Sequence, residues 1–76
     1  MKEQIYEILA GIRPEYDFKS STNFIEDGML DSFDIVTLVT DLEDAFGISI
    51  DGEQVVPENF STIDGIVNLV ENSEKI

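Results

Sequence analysis

Apolar residues near the start of the chain recur as Ile5, Ile8, Leu9 and Ile12, the i, i+3, i+4, i+7 spacing that gathers side chains on about a 100° arc of a helix. Pro14 closes that predicted helix, because a proline pushes the residue before it out of helical geometry. From Glu15 to Leu30 the pattern loses its period: Ser20-Ser21-Thr22-Asn23 form a polar cluster, and Phe18, Phe24, Ile25, Met29 and Leu30 are scattered apolar anchors. A loop of this length is unusual in a small domain and points to function, although its anchors can simply tie it over a core. A second helix begins sharply. Asp31 is a good N-cap, Asp34 stands three residues on as in a capping box, and Leu30 and Ile35 hold the two positions of a hydrophobic staple. Its inner face reads Ile35, Leu38, Val39, Leu42, Ala45 and Phe46, with Gly47 as the stop; its outer line reads Phe33, Thr37, Thr40 and Asp44, flanked by Asp34, Asp41 and Glu43.

Ile48-Ser49-Ile50 predicts a short extended link, and Val55 to Phe60 can hold at most about one helical turn, with Pro57 at its first position. Ser61 is expected to cap a last helix, with Asp64 at the third position and Ile63, Ile66, Val67 and Val70 buried. No repeat, low-complexity tract or linker interrupts the chain. The expectation is one all-α domain over residues 1–76, a small bundle of three main helices plus a short third one.

Composition narrows what such a bundle can do. Seventeen Asp and Glu stand against four Lys and Arg, for a formal charge of −13, which disfavours nucleic acid and favours basic protein partners. The chain has no His and no Cys, so the usual general base, the thiolate nucleophile and the common metal ligands are missing, and a self-contained enzyme is not expected. A calcium loop centred on Gly52 would put Gly47 at the first ligand position, and one centred on Gly28 would put Ile25 at a ligand position. No metal site is expected, although Asp27, Asp31 and Asp34 could weakly collect a divalent cation. No apolar run is long enough for a signal or a membrane span, so a cytoplasmic monomer that inserts into no membrane is expected.

The segment Glu26-Asp27-Gly28-Met29-Leu30-Asp31-Ser32-Phe33-Asp34 resembles the attachment site of the acyl carrier protein superfamily, where Asp-Ser and a bulky apolar residue open the second helix of a four-helix bundle. The resemblance extends over nearly the whole chain, through Ile48-Ser49-Ile50 to Pro57-Glu58-Asn59-Phe60-Ser61-Thr62-Ile63. It implies that Ser32 is esterified by 4′-phosphopantetheine, taken from coenzyme A by a separate phosphopantetheinyl transferase. The residues add a physical reason: a serine at the first helical position sits by unpaired N–H groups and the positive end of the helix dipole, which favour an added phosphate. A bare Asp31-Ser32 cap would account for the dipeptide alone, but not for its flanks. No His, Lys or Cys lies near Ser32 in the sequence to make it a nucleophile, so it reads as a substrate for modification.

The same resemblance puts partner recognition on Phe33 beside the attachment point, and with the −13 charge favouring electrostatic steering the expected partner surface comprises Asp31, Phe33, Asp34, Val36, Thr37, Thr40, Asp41 and Asp44. Fatty-acid carriers commonly have Leu after the modified serine and a more acidic outer stripe. Asp-Ser-Phe and the Pro57-Glu58-Asn59-Phe60 run resemble the D-alanyl and related aminoacyl carriers instead. The implied function is an acyl or aminoacyl carrier holding its cargo as a thioester, loaded by an adenylating ligase and unloaded by a downstream acceptor enzyme. Fatty-acid or polyketide carriage is the nearest alternative, and an unmodified acidic adaptor is the alternative of another kind.

Overall fold

The computed structural model describes residues 1–76. Three helices dominate: α1 (Lys2–Ile12), α2 (Ser32–Phe46) and α3 (Ile63–Asn72). They are joined through 3-10 turns at Phe18–Ser20, Gly52–Gln54 and Pro57–Phe60, the last standing where the short third helix is expected. α1 packs against both α2 and α3, and the Pro57–Phe60 turn fills the space beside α2 and α3. Ile5 and Leu9 of α1, Ile35, Leu38 and Leu42 of α2, and Ile66 and Val70 of α3 meet in one core with Phe60 at its base. Tight packing of this kind is what turns helical periodicity into a fixed bundle.

The long loop is an ordered strap. Phe18 and Phe24 are buried with their rings edge to face, centroids 5.2 Å apart. Asn23 Oδ1 accepts from the amides of Ile25 and Glu26, the Phe24 carbonyl accepts from Met29 and Leu30, and Gly28 takes φ +72° to complete the turn. The Phe24 amide donates to the Ser61 carbonyl at 2.7 Å, fastening the strap to the entrance of α3. These contacts fix where α2 begins.

The structure departs from the sequence expectations in several places. The cap of α3 is Thr62, whose Oγ1 accepts from the Gly65 amide at 3.0 Å. Ser61 is helical, at φ −78° and ψ −22°, as it leaves the preceding 3-10 turn, and its hydroxyl donates to the Glu58 carbonyl instead. Ala45 is exposed and Leu69 buried, so the inner arcs of α2 and α3 lie slightly rotated from the expected ones. Glu43 turns away from the outer flank of α2, its Oε2 accepting from the Ile50 amide at 2.9 Å. The expected extended link becomes β1 (Ile48–Ser49), paired antiparallel with β2 (Glu74–Lys75), a ribbon that adds a small β element to the helical bundle. Its register is Ile48 opposite Lys75 and Ser49 opposite Glu74. No helix is long and apolar enough to cross a membrane.

Candidate functional site

Ser32 is the first residue of α2, and the local sequence dictates its exposure. Leu30 is buried on one side of the helix start and Ile35 on the other, so the staple holds the chain down while the residues between them turn outward. The capping box is complete: Asp31 Oδ1 accepts from the Asp34 amide at 3.0 Å, and Asp34 Oδ2 accepts from the Asp31 amide at 3.1 Å. The Asp31 carbonyl takes the Ile35 amide. The amides of Ser32 and Phe33 precede the first intrahelical bond, and the Phe33 amide also lends a hydrogen bond to the Asp31 carboxylate, so this end of the helix is built to meet negative charge. At the other end, Gly47 at φ +62° terminates the helix as expected.

A residue that sequence reasoning passed over completes the site. Arg13, just past the end of α1, donates from Nε to Asp34 Oδ2 at 2.9 Å and from Nη2 to Asp31 Oδ2 at 3.3 Å, and its Nη1 lies 3.6 Å from Glu15 Oε2. One guanidinium therefore spans both carboxylates of the capping box, the geometry for which arginine's rigid fork is suited. The Asp31 carboxyl is held below its ordinary value, first by the hydrogen bond from the Asp34 amide and then by the nearby Arg13 charge, with partial desolvation opposing. Its position gave one signal: Arg13 is the only arginine in the chain. Its partners, 18 and 21 residues away, had no local signature.

Asp34 thereby leaves the expected partner surface. It is buried beneath the helix start, receiving Arg13 and the Asp31 amide, and is not on the outer flank of α2. Phe33 and Val36 are on the outside, 82% and 62% exposed. Thr37 and Thr40 stand beside them, but their hydroxyls are turned inward: Thr37 Oγ1 donates to the Phe33 carbonyl at 3.2 Å and Thr40 Oγ1 to the Val36 carbonyl at 3.3 Å. With their hydroxyls occupied, the threonines offer methyl groups, and the stripe running back from Ser32 is more apolar than its composition suggests. Asp44 is exposed and Asp41 half-buried at its edges.

The acidic residues Asp27, Asp31 and Asp34 do not gather into a cation site. Asp27 accepts from the Ser21 hydroxyl, and the other two share Arg13. Two clefts lie elsewhere: a polar groove of about 640 Å³ lined by Asp51, Gln54, Asn59, Asn68 and Asn72 among others, and one of about 180 Å³ between Ile25 and Pro57. Ser32 lines neither and is exposed at the helix start.

Residues 3–70 match the family described as "Phosphopantetheine attachment site". Among curated proteins, the D-alanyl carrier protein of Lactococcus lactis subsp. cremoris strain MG1363 is 33% identical over 73 residues, 93% of this chain and 92% of that protein. The acyl carrier protein of Wolinella succinogenes is 35% identical over 74 residues, 97% of this chain and 92% of that protein. The D-alanyl carrier protein of Lactococcus lactis subsp. lactis strain IL1403 is 30% identical over 76 residues, covering 97% and 96%. No solved structure matches the chain. The group that such a domain carries is 4′-phosphopantetheine, bound covalently. With the family match and full-length relatives in agreement, this chain belongs to the phosphopantetheine-bearing carrier proteins.

Proposed function

We propose that Ser32 is the residue that carries the phosphopantetheine, that residues 1–76 act as a single carrying domain, and that its cargo is D-alanine or a similar small amino acid activated by a separate adenylating ligase. The observation behind the first part is the exposed serine at the first position of a fully capped helix, beside two amides with no main-chain acceptor. That end fits a phosphodiester: N–H donors and the positive dipole terminus meet the anion, and nothing covers the hydroxyl's approach. The Ser32 oxygen forms the new bond to phosphorus as the pyrophosphate bond of coenzyme A breaks and the adenosine-bearing phosphate leaves. The hydroxyl proton departs to a base of the transferase, since this chain has no His or Cys to take it. Once bound, the group supplies a long arm ending in a thiol, on which an acyl cargo is held as a thioester.

The cargo reading rests on the outer stripe of α2. Phe33, Val36 and the methyls of Thr37 and Thr40 suit a partner with an apolar pocket, and the flanking Asp41 and Asp44 suit a few basic groups at its rim. Enzymes built to meet a strongly acidic stripe have less to hold here. The D-alanyl carriers of Lactococcus lactis support the aminoacyl reading, and the acyl carrier protein of Wolinella succinogenes supports an alternative in which another acyl group is carried.

The experiment has two stages. Intact mass spectrometry after incubation with coenzyme A and a broad-specificity transferase should show one added phosphopantetheinyl group on the wild type and none on Ser32→Ala. An unchanged wild-type mass, or an equal gain on Ser32→Ala, overturns the attachment site and favours the unmodified adaptor. The modified protein is then offered to a D-alanine-activating ligase and to malonyl and long-chain acyl transferring enzymes. Efficient aminoacyl loading, impaired in Phe33→Asp with an unchanged circular dichroism spectrum, is expected. Efficient malonyl or long-chain loading without an aminoacyl product overturns the cargo.

A further inference from the structure

The start of α2 carries an electrostatic conflict. Asp31 and Asp34 both spend their carboxylates on capping the helix, so two negative charges already occupy the end where the phosphate must arrive. The helix terminus contributes only about half a positive charge. Coenzyme A approaches as a polyanion, and the surrounding sequence offers no relief: there is no Lys or Arg anywhere between Ser20 and Glu74. The remaining cations are committed or distant. Lys2 pairs with Asp64 and Lys19 with Glu3, while Lys75 lies on β2 beside the far end of α2. Arg13 alone reaches the site, and it reaches both carboxylates at once.

We infer that Arg13 is a positioning residue for the modification of Ser32: it locks the capping box from α1 and offsets the carboxylate charge that would otherwise repel the incoming phosphate. The inference rests on the assignment of Ser32 as the attachment point. Its two effects have a common geometry. Asp34 is buried, and its Oδ2 receives both Arg13 Nε and the Asp31 amide. Without the guanidinium, that carboxylate keeps a single hydrogen bond in a poorly hydrated place and is driven either to swing out, opening the box beside Ser32, or to remain as an uncompensated charge. Nε anchors the buried carboxylate while Nη2 reaches the exposed one, and a lysine ammonium, a single point charge, cannot reproduce that division.

The test is the initial rate of phosphopantetheinyl transfer to the whole protein, from coenzyme A with a broad-specificity transferase, at low and at moderate salt. Rates are normalised to the folded fraction read by circular dichroism. Arg13→Gln should lower kcat/KM about tenfold at low salt, the size expected for removing one unit charge that pairs with the residue beside Ser32 in partly screened surroundings. The defect should shrink by severalfold at moderate salt, where mobile ions take over the screening. Arg13→Lys should fall between the two, keeping the charge but not the fork. Arg13→Gln with Asp34→Asn, which removes both partners and restores the local balance of charge, should return to within about threefold of wild type.

That rescue separates the inference from a purely structural brace, because a brace is broken equally in the double variant. Arg13→Gln labelled at the wild-type rate per folded molecule overturns the inference. So does a double variant about tenfold or more slower than wild type, a comparison that stays available if the single variant does not fold. Absence of label on the wild type would overturn the Ser32 assignment itself, and this inference with it.

Discussion

Phe24 is the residue whose loss should be felt furthest from where it sits. Its ring is 1% exposed and meets Phe18 edge to face, while its main chain accepts from Met29 and Leu30 and donates to Ser61. Truncation to alanine removes a buried aromatic ring, for which losses of about 3–5 kcal/mol are usual when the site cannot collapse. The two flanking elements are each pinned by their own capping bonds, at Asp31 and at Thr62, which limits collapse here and favours the upper half of that range. A chain of 76 residues has a total stability of about 4–11 kcal/mol, so Phe24→Ala should consume much of it and lower the melting temperature by more than about 12 °C. Phe24→Leu, which refills most of the space, should cost about 1–2 kcal/mol. Urea unfolding followed by far-ultraviolet circular dichroism gives both numbers. Hydrogen exchange adds the local reading: the Met29 and Leu30 amides, which use the Phe24 carbonyl, should lose protection in the leucine variant before the amides of α1 do. A loss below about 1.5 kcal/mol in Phe24→Ala would refute the idea that the strap is a structural part of the core.

The reassigned cap gives a paired comparison: Thr62→Ala should cost about 1 kcal/mol and some 4–8 °C in melting temperature, whereas Ser61→Ala should stay within about 0.5 kcal/mol. Equal losses would mean that both hydroxyls share the cap. Because the Asp31 carboxyl titrates below its ordinary value of 3.8 in the folded chain, its contribution is present above that pH and disappears as pH falls through the depressed folded value. The stability gap between wild type and Asp31→Asn, which keeps a capping oxygen but not the charge, should therefore be constant from pH 7 to about 5 and close below about 3.8. A gap that widens on acidification would reverse the sign. Finally, at a formal charge of −13 the melting temperature should rise between low and about 0.1 M salt as repulsion is screened over roughly 10 Å, and a fall would mean that ion pairs such as Lys2–Asp64 outweigh the repulsion.

The start of α2 was legible because every signal there is local. Asp31 and Asp34 cap each other three residues apart, Leu30 and Ile35 bracket them, and Gly47 closes the helix, so the sequence placed Ser32 at its first position without tertiary information. What escaped it depends on distant chain. Arg13 becomes part of the site only when α1 packs on α2, and Asp34 and Glu43 turn inward because a guanidinium and the Ile50 amide wait for them. The ribbon of β1 and β2 joins segments some 25 residues apart, two residues each, too short for an alternating pattern to register. Ser61 and Thr62 differ only in backbone conformation, which the preceding 3-10 turn imposes on the first of them. Nor does composition say which way a threonine hydroxyl rotates, so the inward turn of Thr37 and Thr40 has no signal in the sequence.

The ribbon also has a practical geometry. The Ile76 amide donates to the Gly47 carbonyl at 2.9 Å, so residue 76 is stapled beside the closing turn of α2. α2 is 15 residues long, which separates its two ends by roughly 22 Å. A fluorophore, affinity handle or surface tether joined after Ile76 therefore emerges at the opposite end of that helix from Ser32, with the whole outer stripe lying between. An immobilised carrier would hold its serine end away from the support, and a donor dye at residue 76 would sit within energy-transfer range of an acceptor introduced at Ser32, so that arrival of the group could be followed by light on the intact domain.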